Sequence, residues 1–186
     1  MDLNLMVIDN FLDDPDAIRE FALGKEFNVR GNYPGVRARW ENARYTEELD
    51  SKLYEIIGSN VTHSGASKEF QICTEHEDKN WIHHDTKTLA GVLYLTPNAP
   101  LDYGTSIFRN KKTGIVSGDQ ATTEDIDIKK EEDWEETIRI GNVYNRLILY
   151  NGMLYHRSNN FGFGKTLDYS RLTQVFFMDL EEKWEY

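Results

Sequence analysis

The strongest restriction on the fold of this chain is a succession of short apolar segments that begins at residue 69 and runs almost to the end. Segments 69–74, 81–85, 89–96, 105–109, 139–150, 153–158 and 171–180 are mostly rich in Val, Ile, Leu, Thr and aromatic residues, and turn-forming residues separate several of them. Most are too short for buried helices, and alternation dominates them, which predicts strands with successive side chains on opposite faces.

The first third of the chain reads differently. Segment 3–8 predicts an edge strand, and Asp13-Asp14-Pro15-Asp16 predicts a helix start, with capping carboxylates and a proline in the first turn of a helix over 17–23. Arg30-Gly31-Asn32-Tyr33-Pro34-Gly35 is a turn cluster, and Leu49, Leu53, Ile56 and Ile57 have amphipathic spacing over 49–57, ended by Gly58. Helices followed by many strands predict a mostly β chain: a double sheet of jelly-roll type with the N-terminal helices packed against it.

The 186 residues suit one domain, 1–186, with a single core: helical and strand support over 1–68 and a jelly-roll core over 69–180. Segment 110–136 is dense in charge and predicts a polar insertion loop, either a solvated surface loop or a lid over a substrate. A single cysteine, Cys73, excludes an internal disulfide and reads as a small buried hydrophobe, and the N-terminus lacks the pattern of a signal peptide, so a cytoplasmic location is expected. No apolar run reaches the length of a membrane span. With 32 acidic against 21 basic residues the net charge is −11, which disfavours nucleic acid as a partner.

One stretch carries chemistry. In Trp81-Ile82-His83-His84-Asp85-Thr86 an extended backbone aims His83 and Asp85 the same way and His84 the other. His156, in the apolar run Met153-Leu154-Tyr155-His156, supplies a third candidate ligand. Two histidines and one carboxylate are the set that holds non-haem Fe(II) on one face and leaves the other positions open. A second His-x-Asp, His76-Glu77-Asp78, lies in a wholly polar run without strand pattern and is the weaker pair. No Gly-x-Ser-x-Gly elbow or phosphate-binding loop occurs.

Over residues 70–179 the chain resembles the Fe(II)/2-oxoglutarate-dependent oxygenase superfamily, in particular its prolyl-hydroxylase-like branch. The ordered pieces are His83-His84-Asp85, Gly91-Val92-Leu93-Tyr94-Leu95-Thr96, Gly104-Thr105-Ser106-Ile107-Phe108, Asn145-Arg146-Leu147-Ile148-Leu149-Tyr150 leading to His156, and Arg171-Leu172-Thr173. The resemblance implies a double-stranded β-helix, iron held by His83, Asp85 and His156, and the far carboxylate of the cosubstrate 2-oxoglutarate held by Arg171, with Thr173 and Tyr94 assisting. Alternation supports the pairing of Arg171 with Thr173 on one strand face, and a guanidinium fork matches a carboxylate. Arg146 and Arg157 are the next candidates.

The expected activity is a dioxygenase that hydroxylates a small-molecule or peptidyl substrate with O2; relatives that halogenate lack the carboxylate that Asp85 provides. A cupin-like jelly-roll protein that binds a metal or small ligand without oxidation is the alternative.

Overall fold

The computed structural model describes residues 4–39, 43–77, 80–120 and 127–181. Two helices and ten strands are present among them: β1 (Leu5–Ile8), α1 (Pro15–Leu23), β2 (Val36–Ala38), α2 (Ala43–Ile57), β3 (Val61–His63), β4 (Phe70–Cys73), β5 (Leu89–Tyr94), β6 (Thr105–Asn110), β7 (Trp134–Ile140), β8 (Leu147–Asn151), β9 (His156–Ser158) and β10 (Arg171–Leu180). The fold is mostly β, and every strand pairing is antiparallel.

The helix ends follow from capping. The Asp14 carboxylate accepts the Ala17 N–H at 3.0 Å, with Pro15 opening α1. Gly58, at φ +74°, ends α2 in the left-handed region, and its N–H reaches the Tyr54 carbonyl.

The larger sheet has the order β1-β8-β5-β10-β4-β2, with β3 also on β10. Its two faces divide the sequence. Leu172, Phe176 and Met178 of β10, Leu89 and Leu93 of β5, Leu147 and Leu149 of β8, and Phe70 and Ile72 of β4 form one core with Ala22 of α1 and Leu49 and Leu53 of α2. Period-2 alternation sends Arg171, Thr173, Val175 and Phe177 to the other face, where the register sets Thr173 across from Gln71 and Gln71 across from Arg37. That inner face looks toward the smaller sheet, of order β7-β6-β9.

The strands depart from the sequence expectation in several places. Segment 139–150 is two strands, because Asn145 adopts φ 60°, which asparagine tolerates, and its amide bonds Leu12 through both backbone groups. Segment 81–85 makes only an isolated bridge, His83 to His156. Segment 110–136, expected as a polar loop, contributes Asn110 to β6 and its last residues to β7, whose Trp134 is buried with Ile82, Phe108 and Tyr155. β2 and β3, three residues each, were not expected, and with β1 they bring the N-terminal third into the larger sheet.

Candidate metal centre and its cavity

His83 is set against β9 by two backbone bonds, its N–H to the His156 carbonyl at 3.0 Å and the return bond at 2.7 Å. Two residues on, the Asp85 N–H donates to the Gly152 carbonyl at 2.7 Å. These bonds hold 83–85 extended beside the smaller sheet. His83, Asp85 and His156 therefore converge, each offering a ligand atom within 4.8 Å of the others. His84 points the other way, its ring edge-on to Tyr155 with centroids 5.3 Å apart.

The protonation pattern follows from the partners. His83 Nδ1 lies 3.0 Å from the Trp81 carbonyl and His156 Nδ1 2.8 Å from the Leu154 carbonyl. A carbonyl only accepts, so Nδ1 carries a proton in both rings, and a ring in its neutral form presents its Nε2 lone pair. Burial, with the neighbouring His83 ring adding to it, pushes His156 down to about 3. The ring is thus neutral, the form that ligates metals.

Asp85 Oδ2 stands 3.5 Å from His156 Nε2 and is buried without a hydrogen-bond partner among the described residues. Desolvation raises this carboxyl above the usual range, and the fields of His83 and Arg37 oppose the rise. Donors about 2 Å from a common ion lie roughly 3 Å apart in a facial set, so modest inward movement closes the three around one cation. An orphaned buried carboxylate oxygen beside two free imidazole nitrogens fits a divalent ion, whose charge would also reverse the desolvation of Asp85.

The three residues line a half-open cavity of about 470 Å³ between the sheets. Arg171 and Thr173 face the same cavity from β10. Arg171 is 4% exposed; its Nε donates to the Tyr103 carbonyl at 2.9 Å and its Nη2 to the Gly104 carbonyl at 3.4 Å, and no carboxylate pairs with it among the described residues. Tyr94 is buried behind the wall. Its hydroxyl shares a 2.8 Å hydrogen bond with Thr105, which does line the cavity, and the Arg171 guanidinium lies 5.7 Å from the Tyr94 ring centre.

The other candidates are committed elsewhere. Arg146 makes a two-bond fork with Asp9, at 2.6 and 2.9 Å, and Arg157 binds Glu131 at 2.6 Å. His76 is exposed, and Asp78 lies outside the described residues. Cys73 is buried, with its thiol pushed up by desolvation.

Arg37, Gln71 and Thr105 also line the cavity and did not stand out in the sequence. Thr105 had a signal, since it follows Gly104 in one of the quoted pieces. Arg37 had almost none, because a three-residue strand is too short to show a period.

No curated protein matches the chain. Solved structures do, at the level of fold. The α-ketoglutarate-dependent carbocyclase SnoK from nogalamycin biosynthesis superposes with a TM-score of 0.61 at 12% identity, over 96% of this chain and 80% of that one. HygX from Streptomyces hygroscopicus, with nickel, 2-oxoglutarate and hygromycin B bound, gives 0.61 at 13%, over 95% and 82%. A prolyl-4-hydroxylase from Pseudomonas putida gives 0.52 at 13%, over 95% and 93%. The fold is thus that of the non-haem 2-oxoglutarate oxygenases. Among the described residues no helix is long and apolar enough to cross a membrane. Residues 2–178 match the model of a family of unknown function, DUF6445, and the chain belongs to that family.

Proposed function

We propose that this chain is an Fe(II)- and 2-oxoglutarate-dependent dioxygenase that hydroxylates its substrate on a jelly-roll scaffold. The observation that carries the reading is Arg171: a buried guanidinium that no carboxylate meets among the described residues, facing the cavity that also holds the His83 and His156 imidazoles and a carboxylate oxygen of Asp85 without a hydrogen-bond partner there. A buried cation is costly unless an anion meets it, and a dicarboxylate cosubstrate supplies one.

In this reading His83, Asp85 and His156 hold Fe(II). The metal with its cosubstrate would supply activation of O2, coupled to decarboxylation of 2-oxoglutarate to succinate. The Tyr103 and Gly104 carbonyls orient the Arg171 fork, and Thr173 adds a hydroxyl on the same strand face. Tyr94 backs the fork and fixes Thr105, which is a closer candidate than Tyr94 itself for a hydrogen bond to the cosubstrate. Asp85 occupies the position whose carboxylate favours hydroxylation over halogenation. Burial of Arg171, Thr173 and His156 on the cavity wall lowers the local dielectric, which strengthens their charged contacts.

HygX, one of the fold neighbours, was solved with nickel and 2-oxoglutarate bound, which agrees with this reading. Anaerobic addition of Fe(II) and then 2-oxoglutarate tests it. A weak visible charge-transfer band, followed by oxygen-dependent succinate formation, is expected. A metal-bound protein showing neither is a binding protein of cupin type.

A further inference from the structure

The cavity has a second cationic pole that the cosubstrate reading leaves unused. Arg37 of β2 is 6% exposed and faces the cavity. Its guanidinium lies 3.8 Å from the Tyr33 ring centre and 5.4 Å from that of Phe177, so aromatic side chains flank it. The Nε edge donates to Gln71 Oε1 at 2.8 Å, and Nη1 forms a largely buried ion pair with Glu69 Oε2 at 3.6 Å. Nη2 has no partner among the described residues. The group is thus held in place by its stem, its flanks and one edge, with donors left over.

This pole is separate from Arg171. The register places Arg37 across from Gln71 and Gln71 across from Thr173, which puts β2 two strands, or roughly 10 Å, from β10. The charged side chains lining the cavity are Arg37, Lys87, Arg171 and Asp85. Glu69 and Asp179 balance Arg37 and Lys87 from outside the lining, so an incoming anion would meet the local donors of Arg37 rather than a net positive wall.

We propose that Arg37 is the anchor of a substrate subsite that receives a carboxylate, so that the primary substrate is a small molecule or single side chain bearing that group on a flat or apolar body. The proposal deepens the oxygenase reading and rests on it. A carboxylate fits better than a phosphate, because one fork satisfies a planar monoanion and the third oxygen of a phosphate would lack donors. Phe177, Val175 and Tyr33 would pack the body, and the volume of about 470 Å³ must be shared with the cosubstrate, which keeps the substrate small.

The test uses benzoate as probe, with benzamide and phenyl phosphate as comparisons, titrated by NMR into protein loaded with Ni(II) and saturating 2-oxoglutarate so that Arg171 is already engaged. Benzoate should bind about tenfold more tightly than benzamide, the difference a charge-assisted bond supports. Arg37→Gln should abolish that preference, Arg37→Lys should restore part of it, and 2-oxoglutarate affinity should stay within about threefold of the parent in both. If Arg37→Gln does not fold, Tyr33→Leu at the half-buried flank should weaken benzoate about threefold or more.

Equal binding of benzoate and benzamide, a preference that survives Arg37→Gln, unchanged benzoate binding in Tyr33→Leu, or tighter binding of phenyl phosphate would each overturn the assignment. Should 2-oxoglutarate itself fail to bind, the titration is repeated in metal-free Arg171→Gln protein. An Arg37-dependent preference there keeps the carboxylate subsite while the oxygenase reading falls, and its absence overturns the subsite as well.

Discussion

Replacing Arg171 by alanine separates the cosubstrate reading from a structural role for the same residue. The guanidinium is 4% exposed and makes bonds to the Tyr103 and Gly104 carbonyls, of which only the first, at 2.9 Å, is short. If 2-oxoglutarate places its far carboxylate on this fork, the variant leaves that carboxylate in a dry pocket without its cation. Truncating one partner of a buried charge pair costs about 2–5 kcal/mol, so 2-oxoglutarate affinity should fall by roughly 30-fold or more. Stability should change less, because removing an unpaired buried cation offsets the loss of the two carbonyl bonds. Arg171→Lys should recover part of the affinity, since an ammonium keeps the charge and loses the two parallel bonds. Calorimetric titration of 2-oxoglutarate into the anaerobic iron-loaded proteins reads this directly, with iron stoichiometry as control. Unchanged affinity in both variants would refute the assignment. Arg146 and Arg157 are poor substitutes, because each already binds a carboxylate of the chain.

Iron stoichiometry should collapse in His83→Ala, Asp85→Ala and His156→Ala and persist in His84→Ala and His76→Ala; full occupancy in His156→Ala would remove it from the ligand set. If segment 110–136 closes over the cavity, amide exchange at 127–131 should slow on adding cosubstrate and substrate, whereas 116–118, already bonded to 153–155, should be protected throughout; equal protection in both states would make the segment a fixed insertion. Gly104→Ala should destabilise the protein by about 1–3 kcal/mol and weaken 2-oxoglutarate binding, because an added Cβ would meet the Ile140 carbonyl oxygen at 1.9 Å and shift the Gly104 carbonyl that orients Arg171; a thermal melt within 1 °C of the parent would contradict this.

The sequence was most informative where one rule acted alone. β10 was read with its observed bounds, because a ten-residue run that is apolar on one face and largely buried on both leaves few competing structures. The convergence of His83 and Asp85 was legible from alternation even though 81–85 forms no regular strand: three backbone bonds, two at His83 and one at Asp85, are enough to hold the extended conformation that alternation assumes. What failed was anything decided by a partner far away in sequence. The break within 139–150 depends on Asn145 bonding Leu12, and β2 exists because β4 offers it an edge, not because three residues have a pattern of their own. The polar stretch 110–136 misled for the same reason, since Trp134 is apolar in a charged context and finds its core only when Ile82, Phe108 and Tyr155 arrive.

β10 shows why so much of the site falls on one strand. Its outer face carries Leu172, Phe176 and Met178 into the helical core, which fixes the register of the sheet without help from the inner face. The inner face packs Phe177 against a second apolar cluster that includes Ala90, Tyr94, Ile148 and Tyr150, and it grades from Arg171 and Thr173 at one end to Val175 and Phe177 at the other. A strand with both faces apolar would be equally well anchored and would leave no charged wall; one with both faces polar would not hold its place against α2. The opposite wall is held differently, because backbone bonds tie His83 and Asp85 to 152–156, and the His83 ring engages the Trp81 carbonyl through Nδ1, which leaves Nε2 for the cavity. Arg171 and Thr173 therefore lie on the helix-backed sheet, and the three groups that could hold a cation lie on and beside the smaller sheet across from it. A ligand bridging the two would complete the inner core, which among the described residues has a cation that no carboxylate meets on one side and a carboxylate oxygen without a hydrogen-bond partner on the other.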